Sequence, residues 1–293
     1  MSGSPSPRPR VLLTGASGDV GTRLRPMLVE TYGALRSSDL VEPRTPPLPG
    51  ETFVRADLSD AAQVARAVEG IDAIVHLGGF SVEGPWEAIL QANIVGTHAL
   101  YEAARLAGVR RVVFASSNHA VGFYERGRTV DHAVPPRPDT RYGVSKAFGE
   151  ALGALYADKH GLRVLNIRIG NVADAPVDRR RLAIWLHPRD LMQLVRIGIE
   201  HPDVHCEIVY GASDNARAWW DNRRAHELGY RPRARAEDHA AAVLARDEPA
   251  DPVGDRFQGG AFCSQEFDHP EPARSGTGGA ARADGAAPTR AEP

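Results

Sequence analysis

Short apolar runs alternate with helix-period patterns over the first 170 residues, and this alternation restricts the possible fold more than any other feature of the chain. RVLLTG (10–15), ALRSSD (34–39), TFVRAD (52–57), DAIVHLGG (72–79), RRVVFASS (110–117) and LRVLNIRIG (162–170) read as strands. They are apolar rather than strictly alternating, so both of their faces must be covered. Residues 19–31, 60–70, 86–107 and 142–160 between them read as helices, with Gly70 and Gly108 as stops. Strands alternating with helices in this way predict an α/β fold with a doubly wound parallel sheet. After residue 171 the pattern weakens to a helix near 188–199, a strand HCEIVYG (205–211) and helices near 218–228 and 236–246. The expected organisation is therefore a sheet domain over 10–171 and a small C-terminal substrate-binding lid over 172–265. Residues 1–9 are Ser, Pro and Arg-rich, and 270–293 contain no Leu, Ile, Val, Met or aromatic residue. Both ends are expected to be disordered, because neither can bury a core.

The first strand runs directly into TGASGDVG, which sets Gly15, Gly18 and Gly21 at a strand-to-helix turn. A glycine at each position serves a different need: a tight turn, close approach of backbone N–H groups to a pyrophosphate, and close packing of helix on strand. In this context the triplet reads as a Rossmann dinucleotide site, with Ser17, Asp19 and Val20 in the same turn. Asp39 ends the second strand, where a carboxylate accepts from the adenosine ribose hydroxyls and repels a 2′-phosphate, so NAD is expected rather than NADP. Asp57 and Leu58 follow the third strand and are candidates for the adenine; Asp57 could equally begin the next helix. Leu77, Gly78 and Gly79 follow the fourth strand and would lie along the cofactor.

Bulk properties exclude other classes. A net charge of −2 gives no basic face for nucleic acid. No apolar run is long enough for a membrane helix, and the N-terminal residues carry no apolar signal region. The two cysteines, Cys206 and Cys263, have neither disulfide-framework nor metal-ligand spacing, so no metal is expected and a cytoplasmic location is.

The chain has 35 Lys plus Arg, of which only Lys146 and Lys159 are Lys. Lys146 stands four residues after Tyr142, a spacing that seven Tyr and two Lys would produce by chance only about 0.05 times. A surface pair would accept Arg equally well, whereas a site built around a compact ammonium beside a phenol would not. Ser116 and Ser117 end the fifth strand, at the carboxyl edge where open sheets bind ligands.

Ser117, Tyr142 and Lys146 together resemble the Ser-Tyr-Lys triad of the short-chain dehydrogenase/reductase superfamily, and the YGVSK segment resembles its extended branch. The resemblance implies that Tyr142 is a base, that Lys146 lowers its pKa and holds the nicotinamide ribose, and that Ser117 binds the reacting oxygen. HLGGFSVEGPW (76–86), FASSNHAVGFY (114–124), RPDTRYGVSKAFGE (137–150), RIGN (168–171), GASDNARAWWDN (211–222) and FQGGAF (257–262) closely resemble the bacterial uronate dehydrogenases. That family oxidises the anomeric hydroxyl of galacturonic or glucuronic acid with NAD, giving an aldarolactone. The resemblance implies substrate-binding roles for Ser81, Ser117, Asn118, His119, Tyr142, Asn171 and Arg180, with Asn171 standing where the family carries Ser. DRRRL (178–182) independently supplies arginines suited to a carboxylate. Trp219 and Trp220 read as lid core. The alternatives are a nucleotide-sugar epimerase or dehydratase of the same superfamily, which needs a longer C-terminal region, and a non-catalytic NAD-sensing protein, which would not need both Tyr142 and Lys146. Helices 86–107 and 142–160 resemble those that pair subunits in this branch, so a homo-oligomer is expected.

Overall fold

The computed structural model describes residues 8–269. Apart from residues 8 and 9, the two ends expected to be disordered lie outside the described residues.

The strands are β1 (Val11–Thr14), β2 (Leu35–Asp39), β3 (Glu51–Arg55), β4 (Ala73–His76), β5 (Arg111–Ser117), β6 (Arg163–Ile169), the short β7 (Asn171–Val172) and β8 (Trp185–Leu186), and β9 (Cys206–Gly211). Seven of them form one parallel sheet in the order β3-β2-β1-β4-β5-β6-β9. The order reverses between β1 and β4; β1 lies between β2 and β4, with Val11 paired to Leu35 on one side and to Ala73 on the other. Ligands bind at such a switch point, outside the carboxyl ends of the strands.

Side chains of each central strand divide between two cores, as the two-residue strand period requires. Val11, Leu13, Val75, Val113 and Leu165 pack on one face with α1 (Asp19–Tyr32) and α7 (Pro188–Glu200). Leu12, Ile74, Val112 and Val164 pack on the other with α2 (Ala61–Val68), α4 (Gly96–Leu106) and α5 (Arg141–His160). Leu13 is fully buried, so truncating it to Ala would cost about 2–5 kcal/mol. Side-chain caps fix the helix starts. Asp60 accepts from the N–H groups of Ala62 and Gln63 before α2, and Thr140 accepts from Gly143 before α5.

Three expectations change in detail. The sheet does not stop at the division drawn at residue 171: β9 pairs along β6 from Val164↔Cys206 to Ile169↔Gly211. The run IVYG was readable as a strand, but its neighbour could not be read, because parallel pairing is set by tertiary contact rather than local pattern. Outside the sheet, the segment expected to be a lid holds the β7–β8 ladder and two small clusters, one around Tyr210 and Trp220 and one around Leu182, Trp185 and Ala236. The helix expected over 86–107 is interrupted. α3 (Trp86–Ile89) passes into a π-helical turn, Leu90–Val95, before α4. The helix expected over 236–246 begins as a 3₁₀ turn, Ala236–His239, leaving α9 only Ala240–Leu244. Among the described residues no helix is long and apolar enough to cross a membrane.

Candidate active site

The carboxyl ends of β1, β2, β4, β5 and β6 border one cavity of about 740 Å³. Its nucleotide half is built by the β1–α1 turn. Gly15 has φ +70°, and a Cβ there would lie 2.7 Å from the Gly78 nitrogen; a Cβ on Gly21 would lie 2.2 Å from the Gly15 carbonyl oxygen. The protein's own packing thus demands glycine at both positions. At Gly18 it does not: the nearest atom to a Cβ would be 3.4 Å away. Gly18 is exposed and caps α1 without a side chain, so the first N–H groups of that 14-residue helix open onto the cavity. A cradle clear of side chains at a helix N-terminus fits a pyrophosphate. Ser17, Asp19 and Val20 line the same turn. Asp39 Oδ2 accepts from Ser17 N at 2.9 Å and Oδ1 from Leu40 N at 2.7 Å. Each oxygen keeps a further acceptor site for a ribose hydroxyl. Asp57, Leu58, Leu77, Gly78 and Gly79 line the cavity as well. The Asp57 carboxylate is turned to its own loop, accepting from the Ser59 amide and hydroxyl; the helix cap is Asp60.

Ser117, Tyr142 and Lys146 converge at the centre. Tyr142 and Lys146 lie one turn apart on α5, both buried. Burial pushes the Tyr142 phenol up to about 12, against the pull of hydrogen bonding by the Ser117 hydroxyl. Burial brings the Lys146 ammonium down to about 8. Burial is the largest influence on that phenol, so without ligand its pKa is raised rather than lowered.

The rest of the cavity brings together Ser81, Ser117, His119, Tyr142, Asn171 and Arg180. His119 Nδ1 meets the buried Asp139 carboxylate at 2.6 Å, and its ring stacks on Phe262 at 4.1 Å between centroids. Burial holds the imidazole below its ordinary pKa, more than Asp139 raises it. Arg180 Nε donates to the Gln258 carbonyl oxygen at 2.9 Å. Burial and nearby Arg126 bring its guanidinium down to about 10. Arg179 points away, donating to the Leu244 carbonyl oxygen, and Arg181 is paired with Asp178. Asn118 is the exception among the expected site residues. It is 1% exposed and lies beneath the cavity wall rather than on it. The 3₁₀ turn Asn118–Val121, capped by Ser117 Oγ, turns its side chain inward. Trp220 is core, stacked on Tyr210 at 4.8 Å, and Trp219 is partly buried in the same cluster.

Residues 11–204 match the NAD-dependent epimerase/dehydratase family. The chain belongs to that family. It is 46% identical over 259 residues to the uronate dehydrogenase of Pseudomonas putida, covering 88% of this chain and 96% of that one. Its fold matches the crystal structure of glucuronic acid dehydrogenase from Chromohalobacter salexigens with a TM-score of 0.85, 44% identity, and 88% and 97% of the two chains covered. It also matches a tyrosine-to-alanine variant of uronate dehydrogenase from Agrobacterium tumefaciens, complexed with NAD, with a TM-score of 0.84, 43% identity and 87% and 97% coverage.

In this epimerase/dehydratase-family chain, sequence reasoning missed several residues that support the site. Phe262, at the end of the run FQGGAF, carries no chemical signal of its own. Asp139 lies three residues before Tyr142, a position that carries no motif signal. Asn93 sits in the π turn and holds the Phe80 backbone through both amide atoms, at 2.7 and 2.9 Å, while donating to Ser145 Oγ at 2.9 Å. Arg168 and Glu150 form a buried bidentate pair, both contacts 2.9 Å, with Ser116 Oγ donating to Glu150 at 2.6 Å. An Arg in the second-last position of β6 and a Glu four residues after Lys146 gave the only hint.

Proposed function

We propose that this chain is an NAD-dependent dehydrogenase that oxidises the anomeric hydroxyl of hexuronic acids, galacturonate and glucuronate, to the aldarolactone. The observation that carries the substrate is Arg180. It is a mostly buried guanidinium that lines the cavity, and among the described residues it forms no ion pair. A cation left in that state recruits an anion from its ligand. The similarity to named uronate dehydrogenases supports the same reading.

NAD, when bound along the β1–α1 turn, supplies the hydride acceptor. The N–H groups at the start of α1 hold the pyrophosphate, and Asp39 accepts from the adenosine ribose. Tyr142 takes the proton of the anomeric hydroxyl as the C–H bond gives up its electron pair, and Ser117 hydrogen-bonds the same oxygen. A phenol held near 12 is a poor base at neutral pH, so the Lys146 ammonium and the positive charge of the oxidised cofactor must favour the phenolate in the loaded enzyme. Neutral His119, oriented by Asp139, and the Asn171 and Ser81 side chains bind sugar hydroxyls. Arg180 holds the carboxylate remote from the reacting carbon.

The exposed apolar residues Trp86, Val95, Leu106, Val144 and Leu155 lie on α3–α4 and α5. They support pairing of subunits through these helices as a homo-oligomer. Two free cysteines are compatible with the cytoplasm. Incubating the protein with NAD and galacturonate, glucuronate, galactose or a nucleotide sugar, and following absorbance at 340 nm, tests the assignment. Rapid NADH formation with the two uronates alone is expected. No NADH from either uronate would refute it, and turnover of a nucleotide sugar without NADH release would favour an epimerase.

A further inference from the structure

Arg180 is mostly buried among neutral partners, unlike four other arginines of this region, which are ion-paired, and unlike the exposed Arg179. Arg181 pairs with Asp178, Arg126 with Asp255, Arg168 with Glu150 and Arg141 with Glu83. Arg180 has instead the Gln258 carbonyl oxygen on Nε and the Asn118 side chain 2.8 Å from Nη2. The Asn118 amide is satisfied in one orientation, with Oδ1 accepting from Nη2 and Nδ2 donating to the Ile169 carbonyl oxygen at 3.1 Å; the assignment follows from that network. Asp139 and Asp178 act on Arg180 only through space. Asp139 is committed to His119 Nδ1 at 2.6 Å and to the Thr140 hydroxyl at 3.0 Å.

We propose that Asn118 is a specificity-determining positioning residue: its amide aims Arg180 at the substrate while leaving the guanidinium without an ion-pair partner among the described residues, which makes the site select an acid sugar. The inference rests on the uronate reading above and explains how that selectivity is built. An Asp at 118 has nearly the same shape but would place a carboxylate oxygen 2.8 Å from Nη2. In a site screened from water, an internal counter-ion removes most of the attraction for a second anion. A merely structural role for Asn118 predicts a different result, since any substitution would then weaken all sugars alike.

The test compares wild type, Asn118→Asp and Asn118→Ala on galacturonate and on its neutral counterpart galactose. NADH binding, read by fluorescence, confirms that each variant is folded. Asn118→Asp is expected to raise KM for galacturonate at least about tenfold with a smaller change in kcat, and to lower the galacturonate-to-galactose ratio of kcat/KM by a similar factor. Asn118→Ala, which loosens Arg180 but adds no charge, is expected to lower kcat/KM while keeping most of that ratio. A ratio unchanged in Asn118→Asp, or one that falls equally in both variants, would overturn the proposal. Wild type inactive on every uronate would end the functional reading and this inference with it. Should Asn118→Asp fail to fold, a crystal structure of the wild type with NAD and galactarate decides. A ligand carboxylate on Arg180, with Asn118 Nδ2 still on Ile169, is expected; a ligand carboxylate bonded directly to the Asn118 side chain would refute the inference.

Discussion

The Lys146 ammonium lies 5.4 Å from the centre of the Tyr142 ring, one turn further along α5, and 5.1 Å from the ring of Phe114. The slot between the two rings holds a compact cation. A guanidinium is planar and wider, and it would have to displace one ring or leave the slot. Lys146→Arg is therefore expected to lower kcat at least about tenfold while the melting temperature stays near that of the wild type. Steady-state kinetics beside a thermal melt check this. Activity within about threefold of wild type would mean that charge alone suffices.

The same lysine gives stability a pH dependence. Its folded pKa, about 8, lies below the 10.5 of the exposed side chain, so the unfolded chain binds more protons between those values and stability rises with pH there. Tyr142 acts oppositely above pH 10, because its pKa rises from 10 to about 12 on folding. Lys146→Met removes the first effect. Relative to that variant, the cofactor-free wild type should gain stability from about pH 8 to pH 10, measured by urea denaturation. A flat difference across that range would show that the ammonium is not buried.

Asp39→Ala should lower the preference for NAD over NADP at least about tenfold, because a buttressed carboxylate no longer faces the 2′ position. Paired kcat/KM values with the two cofactors provide the check. An unchanged ratio would mean that another group reads the ribose.

Arg180→Ala removes a charge-assisted contact of about 1.5–3 kcal/mol and should lower kcat/KM on uronates roughly ten- to a hundredfold, with little change on neutral sugars. Arg179→Ala serves as a control, since its side chain is held at the Leu244 and Arg246 carbonyl oxygens. Loss in the control but not at Arg180 would shift the assignment along the loop.

Arg168→Met should destabilise the fold by about 3–5 kcal/mol, because it strands the buried Glu150 carboxylate with only Ser116. The double variant Glu150→Leu/Arg168→Met should recover part of that loss in urea titrations. If the double variant is as unstable as the sum of the single ones, the pair is not coupled.

What could be read in the sequence was local. Gly15, Gly18 and Gly21 announce their turn because the requirements lie within a few residues, and Tyr142 and Lys146 announce theirs through helical spacing. Arg180 could be picked from its neighbours only by resemblance, and its geometry now separates it from Arg179 and Arg181. What could not be read depends on contacts between distant parts of the chain. Gln258 reaches Arg180 across 78 residues, and Cys206–Gly211 joins the sheet only through β6. Asn118 was expected on the cavity wall, but the direction its side chain takes is set by the 3₁₀ turn that Ser117 caps. The break in the long helix at Asn93 was also hidden, since a π turn leaves the apolar pattern on either side nearly intact.

The route by which Gln258 and Phe262 reach the cavity has a consequence for the order in which the protein is made. Every group of the nucleotide cradle, from Gly15 to Lys146, leaves the ribosome before Arg180 does, and Arg180 waits a further 78 residues for the carbonyl oxygen that holds its Nε. A nascent chain can thus complete the sheet, through β9, and the cradle on it before Gln258 arrives to hold Arg180. On the proposed role of Arg180, a chain cut between residues 231 and 257, after the core that includes Tyr230 is complete, would keep its cofactor cradle and lose its selectivity among sugars.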